Sequence, residues 1–567
     1  MTRRLGVVTT LLVLACAPNT AATGSDGRAG EGVSPLPGVS LRAEDRVVIP
    51  SMTVVLGVAI SARYVFIATP GALGVFDRQY AAWLPPLTLI DGWPNVAVAA
   101  MLADPADPGA VWFGADNVVY HYRVGFDDIM RVVVPGRVTP GAFFIESANP
   151  ASGVVVGGGP TGYVRVSATG FAEPYMPSPA GARVAPGARA RIEPQSVASV
   201  YAQYRNLQGF ERLLTRDDAM RTWPVVSAAS SPTNSEVWLG TGGGGVFKVD
   251  PLFGRGVQVP FGLIADGAGA VARAADGVWF GSLGNCFGPR GGLTFTDDEL
   301  HAWRWIDGGP VSPLNAARVT AISSWASSLW VASDHGLVHL DGRSGAVIRR
   351  WDDLSGLPSA VALAVTATAD GAWVGTARGL VFVRDEQRAS SAGRPADVDP
   401  PVLTGNAVRA LARRGDTLWI GTDAGLMVLT PGAEQARRVV AAVPDGRLNA
   451  PVTAIATADS VVVFAIATGE VLRIHMRTGE VLDAVSYVNS RSVAGVNAMA
   501  IDATTLWIAG QRGVLAMNRA TRAQHFLAAG PDVPGEAYGL ALTPQYAWIA
   551  ARGGAVRLRR VTDGMPR

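Results

Sequence analysis

The sequence predicts an all-β protein, a β-propeller of about twelve four-stranded blades arranged as two tandem propellers. Three observations lead there. A phrase made of an aliphatic residue, Trp, a small residue and a Gly-opened hydrophobic run recurs along the 567 residues. Neighbouring copies stand roughly 37–51 residues apart, the length of one blade. No stretch holds a sustained 3.6-residue apolar period, so helix is not expected.

The strong copies are "VWFGADNVVYHY" at Trp112, "VWLGTGGGGVFKVD" at Trp238, "VWFGSLG" at Trp279 and "LWVASDHGLVHLD" at Trp330. They continue with "AWVGTARGLVFVRD" at Trp373, "LWIGTDAGLMVLT" at Trp419, "LWIAGQRGVLAMN" at Trp507 and "AWIAARGGAVRLR" at Trp548. Weaker copies surround Phe66, Val155, Tyr201 and Val463. Lead-ins such as "VTAI", "AVRAL" and "GVNAMAI" alternate apolar with small or polar residues and read as first strands. The Trp strand, a Gly turn, an apolar third strand and a variable outer strand complete each unit. A single blade leaves both faces bare, and an indole at one fixed position fills the wedge to the next blade. Its burial is worth about 5 kcal/mol gross. Trp112, Trp238, Trp279, Trp330, Trp373, Trp419, Trp507 and Trp548 are therefore read as blade-packing residues. The Gly that opens the third strand allows a tight hairpin at positive φ.

The last copy lacks an outer strand, and "EDRVVIPS", 44–51, is a strand to spare. The two are expected to pair and hide open edges. Twelve units exceed one ordinary ring, so the chain divides into 44–310 and 311–567 as six plus six. Seven plus five and one large ring remain open. Terminal closure suits one ring, or a second propeller that borrows the first strand.

Composition narrows the function. A formal net charge of +2 without a basic stripe gives no field for nucleic acid. Arg3 and Arg4 precede the apolar run Leu5–Ala15, a signal-peptide core too short to span a bilayer. It ends in "VLAC", which resembles the lipobox of bacterial lipoproteins, with Cys16 as the lipidated residue. An ordinary secretory signal cleaved near "NTAATG" is the alternative. Both direct the protein out of the cytoplasm. Residues 1–16 are thus the signal, and 17–43, rich in Gly, Ala, Ser and Pro, a flexible tether. Lipidation would attach the chain to the outer membrane or cell surface. With Cys16 acylated, Cys286 has no intramolecular disulfide partner.

The repeats are similar to the two-component-regulator propeller repeat, roughly "DGLPSNSVTAI…LWIGTDGGLYRLD". "LWIGTDAGLMVLT" is close to it, as are the loops "DGWPN", "LSGLPSAV" and "PDGRLNAPVTAI". The resemblance implies an extracytoplasmic sensor or binding platform. Signalling members continue into a transmembrane helix and an effector; here the sequence stops at Arg567, so a stand-alone binding lipoprotein is expected.

Second-to-third-strand turns and loops entering the next blade meet at one mouth of a propeller. The outlier there is "GSLGNCFGPRGGLTF", whose Asn285, Cys286 and Arg290 are the candidate ligand contacts. His335 and His339 straddle a Gly turn and do not form a helical metal pair. "DDEL" and "WDD" read as solvated loop carboxylates, and "TRDDAMRTW" as a degenerate hairpin similar to a sialidase Asp-box. No phosphate loop, nucleophile elbow, zinc motif or cofactor signature is found. The reading is a non-catalytic, lipid-anchored scaffold for a protein or glycan ligand. The alternatives are a polysaccharide lyase or glycoside hydrolase at a propeller mouth, and a structural subunit of an envelope complex. Three or more His, Arg, Tyr or carboxylate side chains converging in one mouth would favour the enzyme.

Overall fold

The computed structural model describes residues 45–94, 96–126, 129–147, 149–157, 162–176, 191–231, 233, 236–284, 291–307, 314, 317–385, 398–440, 446–485, 493–561 and 564–566. Among them, strands assemble into eleven antiparallel sheets, numbered 1 to 11 in chain order: 57–88, 100–133, 143–192, 225–259, 268–307, 319–351, 362–404, 408–438, 452–485, 496–528 and 537–559. Each is a meander with strands paired in sequence order, save that in sheet 1 the short strand Leu87–Thr88 pairs with Ala72–Asp77 beside Ala82–Trp83. Sheet 3 gains a strand, Arg191–Ile192, beside its first strand Phe143–Glu146.

Sheet 11 has three strands of its own and takes its fourth from the start of the chain. Arg46–Ile49 runs antiparallel to Gly554–Arg559 in the register Arg46↔Leu558 to Ile49↔Ala555. Val47, Val48 and Ile49 are buried by that pairing. The spare N-terminal strand thus takes the place expected for it.

The first strands of sheets 5 to 11 neighbour one another in order, and the first strand of sheet 11 lies beside that of sheet 5. These seven sheets form one cycle. The expected boundary near residue 310 therefore falls between two adjacent members, sheets 5 and 6. Sheet 1 lies between sheets 2 and 4, and sheet 2 shares a buried cluster with sheet 3. The chain leaves the cycle after Ile49 and re-enters it before Ala268. The two crossings run side by side, with Ser51 bridged to Leu263 and Leu263 N–H donating to the Pro50 carbonyl at 2.9 Å. Sheets 1 to 4 are thus a unit inserted into a ring that borrows the first strand.

The weak repeat around Tyr201 is corrected. It is helical: α1, Val197–Gln203, and α2, Glu211–Leu214, joined by a 3-10 turn. Ser196 caps α1 by accepting from Ser199 N–H at 3.1 Å. Val200, Tyr201, Leu207 and Leu214 cover Ala228, Leu239 and Phe247 of sheet 4. The opposite face of that sheet carries Trp238 towards sheet 1. The helices stand where a neighbouring sheet would pack. The apolar spacing 200, 204, 207 was the available signal for helix.

In the cycle, the Gly that opens the third strand has a second reason besides its positive φ. At Gly336 (φ 121°) and Gly513 (φ 138°) an added Cβ would lie 2.2 and 2.0 Å from the fourth strand's backbone carbonyl.

The structure buries Trp112, Trp238, Trp279, Trp330, Trp419, Trp507 and Trp548 almost completely. Trp279 shares a cluster with Ile322 and Val331 of sheet 6, Trp507 with Ile549 and Val556 of sheet 11, and Trp548 with Val271 and Phe280 of sheet 5. Among the described residues the indole N–H groups of Trp238, Trp279 and Trp548 are buried without an acceptor, so these rings supply volume rather than hydrogen bonding. Trp373 is only half-buried, against Val408 and Leu418 of sheet 8.

Candidate functional site

Each first strand of sheets 5 to 11 carries a β-bulge at its second residue: Gly269, Thr320, Leu363, Arg409, Thr453, Asn497 and Tyr538. A bulge adds a residue without a ladder partner and re-aims its side chain. Two of them reach sideways to the next sheet in the same way. Thr320 Oγ1 donates to the Ala362 carbonyl at 2.8 Å, and Asn497 Nδ2 to the Ala537 carbonyl at 3.0 Å. In the lead-in phrases these bulged positions are the residues after the first apolar one.

The bulges of sheets 10 and 11 build a polar network. Glu536 leads into sheet 11, and Arg552 stands on its second-to-third-strand turn. One carboxylate oxygen of Glu536 accepts from Asn497 Nδ2 at 3.0 Å. The other accepts from the Tyr538 hydroxyl and the Arg552 guanidinium, both at 2.8 Å, and Arg552 also reaches Tyr538 Oη at 2.9 Å. Across sheet 5, Arg318 at the entry to sheet 6 lays its guanidinium 5.7 Å from the Tyr538 ring centre. The bulged residue of sheet 5 between them is Gly269, which has no side chain. An added Cβ there would stand 2.6 Å from the Val319 carbonyl. Asp334 accepts from Arg318 N–H at 2.9 Å and from His335 at 2.7 Å. Among the described residues the Arg318 guanidinium makes no ion pair.

This is the mouth where ligand contacts were expected. Asn285, Cys286 and Arg290 themselves lie outside the described residues, as does Cys16. The ends of their loop are described. Ser282 Oγ accepts from Gly292 N–H and donates to the Ala317 carbonyl, both at 3.1 Å, and Gly284 abuts Arg318. Asn497, Glu536, Tyr538, Arg552 and Arg318 were not singled out in the sequence. They lie up to 234 positions apart, and only the ring brings them together.

More than three such side chains converge, but their protons are committed. Burial and donation to Glu536 push the Tyr538 phenol up to about 12. Burial alone would raise Glu536, yet Arg552, Asn497 and Tyr538 outweigh it and hold the carboxyl below its usual range. Neither group exchanges a proton near neutrality. A raised phenol stabilises the fold below its ordinary 10.0, a contribution lost as pH climbs through about 12. The difference in phenolate absorbance between wild type and Tyr538→Phe is therefore expected to emerge only near pH 12. Emergence near 10 would break the network.

The other candidates resolve into structure. His339 stacks on Trp330 at 4.1 Å and His121 on Trp112 at 4.0 Å, each opposite its Trp on the third strand. No group of three or more His, Cys, Asp and Glu is placed to hold a metal among the described residues. Asp297 and Asp352 accept from backbone N–H groups of their own turns. "TRDDAMRTW" is a hairpin closed on Asp217, which takes Arg221 Nε at 3.0 Å and Trp223 Nε1 at 2.8 Å. A cavity of about 440 Å³ opens at the inner-strand ends of sheets 1, 2 and 4, lined by Ser61, Asp104, Gln195 and Ser230. Its buried Asp104 accepts from Trp112 Nε1 at 2.9 Å and pairs with His121 at 3.2 Å.

No family model matches the chain, and no curated protein matches it in sequence. Among solved structures it is similar to PorZ of Porphyromonas gingivalis, a bacterial surface component of the type-IX secretion system, over 91% of this chain and 87% of that one, at 11% identity and TM-score 0.53. The fold is of the β-propeller type. Looser overlays join it to the extracellular domain of BT4673 from B. thetaiotaomicron (14% identity, 91% and 71% covered, TM-score 0.42) and to YCF48 bound to D1 peptide (15%, 52% and 94%, 0.41). At these identities the likeness is one of fold alone. No helix among the described residues is long and apolar enough to cross a membrane.

Proposed function

We propose that the protein is an extracytoplasmic scaffold, anchored through lipid on Cys16, that binds a protein or glycan ligand at the mouth of its seven-sheet ring. We read its repeats as the two-component-regulator type, with sheets 5 to 11 as one propeller and sheets 1 to 4 plus α1 and α2 as another. The observation that carries the binding site is Arg318, an exposed guanidinium without an ion partner among the described residues. It stands over a phenol that Glu536, Arg552 and Asn497 hold rigid. Such a preorganised mouth suits a ligand bearing a carboxylate or another anion, since a guanidinium pairs with it bidentately.

The test screens the full chain against glycan and peptide arrays, then repeats it with Arg318→Ala. Binding should weaken about tenfold or more. Equal binding by the variant would refute the site. Retained membrane fractionation of Cys16→Ser would refute the anchor separately. The convergence of Arg318, Tyr538 and Glu536 meets the geometric condition for a second reading, a polysaccharide-cleaving enzyme, while the committed protons of Tyr538 and Glu536 weigh against it. It predicts new chain ends released by wild type and none by Tyr538→Phe.

A further inference from the structure

Sheets 1 to 4 differ from the ring in one repeated detail. The turn between third and fourth strands carries an exposed aromatic in each: Tyr80 (70% exposed), Phe126 (57%), Phe171 (76%) and Phe253 (78%), with Leu252 (85%) beside the last. The turn chemistry is shared with the ring. Asp77 accepts from Gln79 and Tyr80 N–H, and Asp250 from Leu252 and Phe253 N–H. In the ring, Asp341 accepts from Arg343 and Ser344 N–H, and Asn518 from Ala520 and Thr521 N–H. The residue three after the capping side chain is thus Tyr80 or Phe253 in one unit, and Ser344 or Thr521 in the other. The turn does not require an aromatic there, and no other described turn of this class in the ring exposes one.

All four tips lie at one end of their unit. In a meander, first and third strands run the same way, so both finish at the same end. The contacts agree. A cavity of about 670 Å³ is lined together by Asp107 and Phe126 of sheet 2 and by Pro150 and Ala168 of sheet 3. Arg78, beside Tyr80, hydrogen-bonds the Ser61 and Ala62 carbonyls and pairs with Glu236, which precedes the second strand of sheet 4. The tip of sheet 4 is braced by Asn206, which donates to the Pro251 carbonyl at 2.6 Å.

We infer that this end of sheets 1 to 4 is a membrane-contacting face, its four aromatic tips seating in the headgroup layer of a phospholipid bilayer. Tips on four separate sheets do not make the contiguous central cluster of a protein-binding hot spot. They do match rings placed singly at a membrane interface. Guanidinium groups stand beside two of them, Arg63 at 5.9 Å from the Tyr80 ring and Arg123 at 5.1 Å from Phe126; each is already paired to a carboxylate, Arg63 to Asp77 at 3.0 Å and Arg123 to Asp107 at 2.7 Å, so the rings rather than the charges carry the contact. The choice of a membrane rests also on the N-terminal reading. On that reading the chain carries an apolar run, Leu5–Ala15, ahead of the fold. The arrangement of the tips does not depend on that reading.

The test uses the full chain with Cys16→Ser, so that lipid cannot mask the face. Flotation with phosphatidylcholine vesicles, with and without phosphatidylglycerol, should recover the protein with the vesicles. Combining Tyr80→Ser, Phe126→Ser, Phe171→Ser and Phe253→Ser should weaken recovery about tenfold or more. Circular dichroism should stay unchanged, because the replaced rings are exposed. Independently, Phe253→Trp should give a blue shift of emission on vesicles relative to the same variant in buffer. Absence of flotation, flotation indifferent to the fourfold change, or an unshifted Trp emission would overturn the inference. So would a fourfold change that alters only self-association. Loss of the anchor at Cys16 leaves each of these readouts standing, so the two ideas fail separately.

Discussion

Trp548→Ala should lower the unfolding free energy by about 3–5 kcal/mol, read as a fall in the denaturant midpoint. The ring is fully buried at the seam between sheets 11 and 5, 6.0 Å from Phe280 and 6.1 Å from Tyr546. Its N–H has no acceptor among the described residues, so truncation removes apolar burial and leaves a cavity without orphaning a bond. Neighbouring strands, fixed by their own ladders, have little freedom to collapse into that space. Trp373→Ala is the matched control. The same repeat position is half-buried there, and roughly half the effect should follow from the smaller area lost. Equal losses would show that the indole acts within its own sheet rather than as a wedge between sheets.

A chain beginning at Pro50 should lose the ring's cooperative unfolding and aggregate. Removing Arg46–Ile49 uncovers the edge Gly554–Arg559 along its length and deletes the buried Val47, Val48 and Ile49. Three such side chains contribute roughly 5–9 kcal/mol gross, comparable with the net stability of a whole domain, about 5–15 kcal/mol. An exposed edge also templates pairing with another copy. A synthetic peptide spanning 44–51 should restore part of the thermal midpoint by adding back the missing strand. A truncated chain as stable and monomeric as the parent would show that the closure is dispensable.

The units that sequence made legible were those whose signal is local. The Trp–small–Gly phrase marks sheets 2, 4 to 8, 10 and 11 because the strands of each meander pair with their sequence neighbours. The stretch around Tyr201 was misread for the converse reason. Its length and aromatic content match a repeat, while its helical spacing becomes decisive only against the apolar face of sheet 4. The residues the sequence offered for the mouth, Asn285, Cys286 and Arg290, lie outside the described residues, and those that gather beside their loop carry no local signal. The long loop interrupts the repeat visibly, whereas Asn497 and Tyr538 look like ordinary polar members of a first strand until the bulge turns them.

What sequence by itself determined is the strand content, the blade period, the indole positions and the N-terminal strand's vocation for the last blade. All follow from alternation, turn residues and an unfilled edge within some fifty neighbouring residues. The tertiary structure alone decided how many sheets share one cycle and that the first four form an insertion. It also brought Arg318 to Tyr538, and collected four turn aromatics at one end. Those outcomes depend on the wedge angle accumulated around a ring and on which distant first strands meet, quantities that no local pattern encodes.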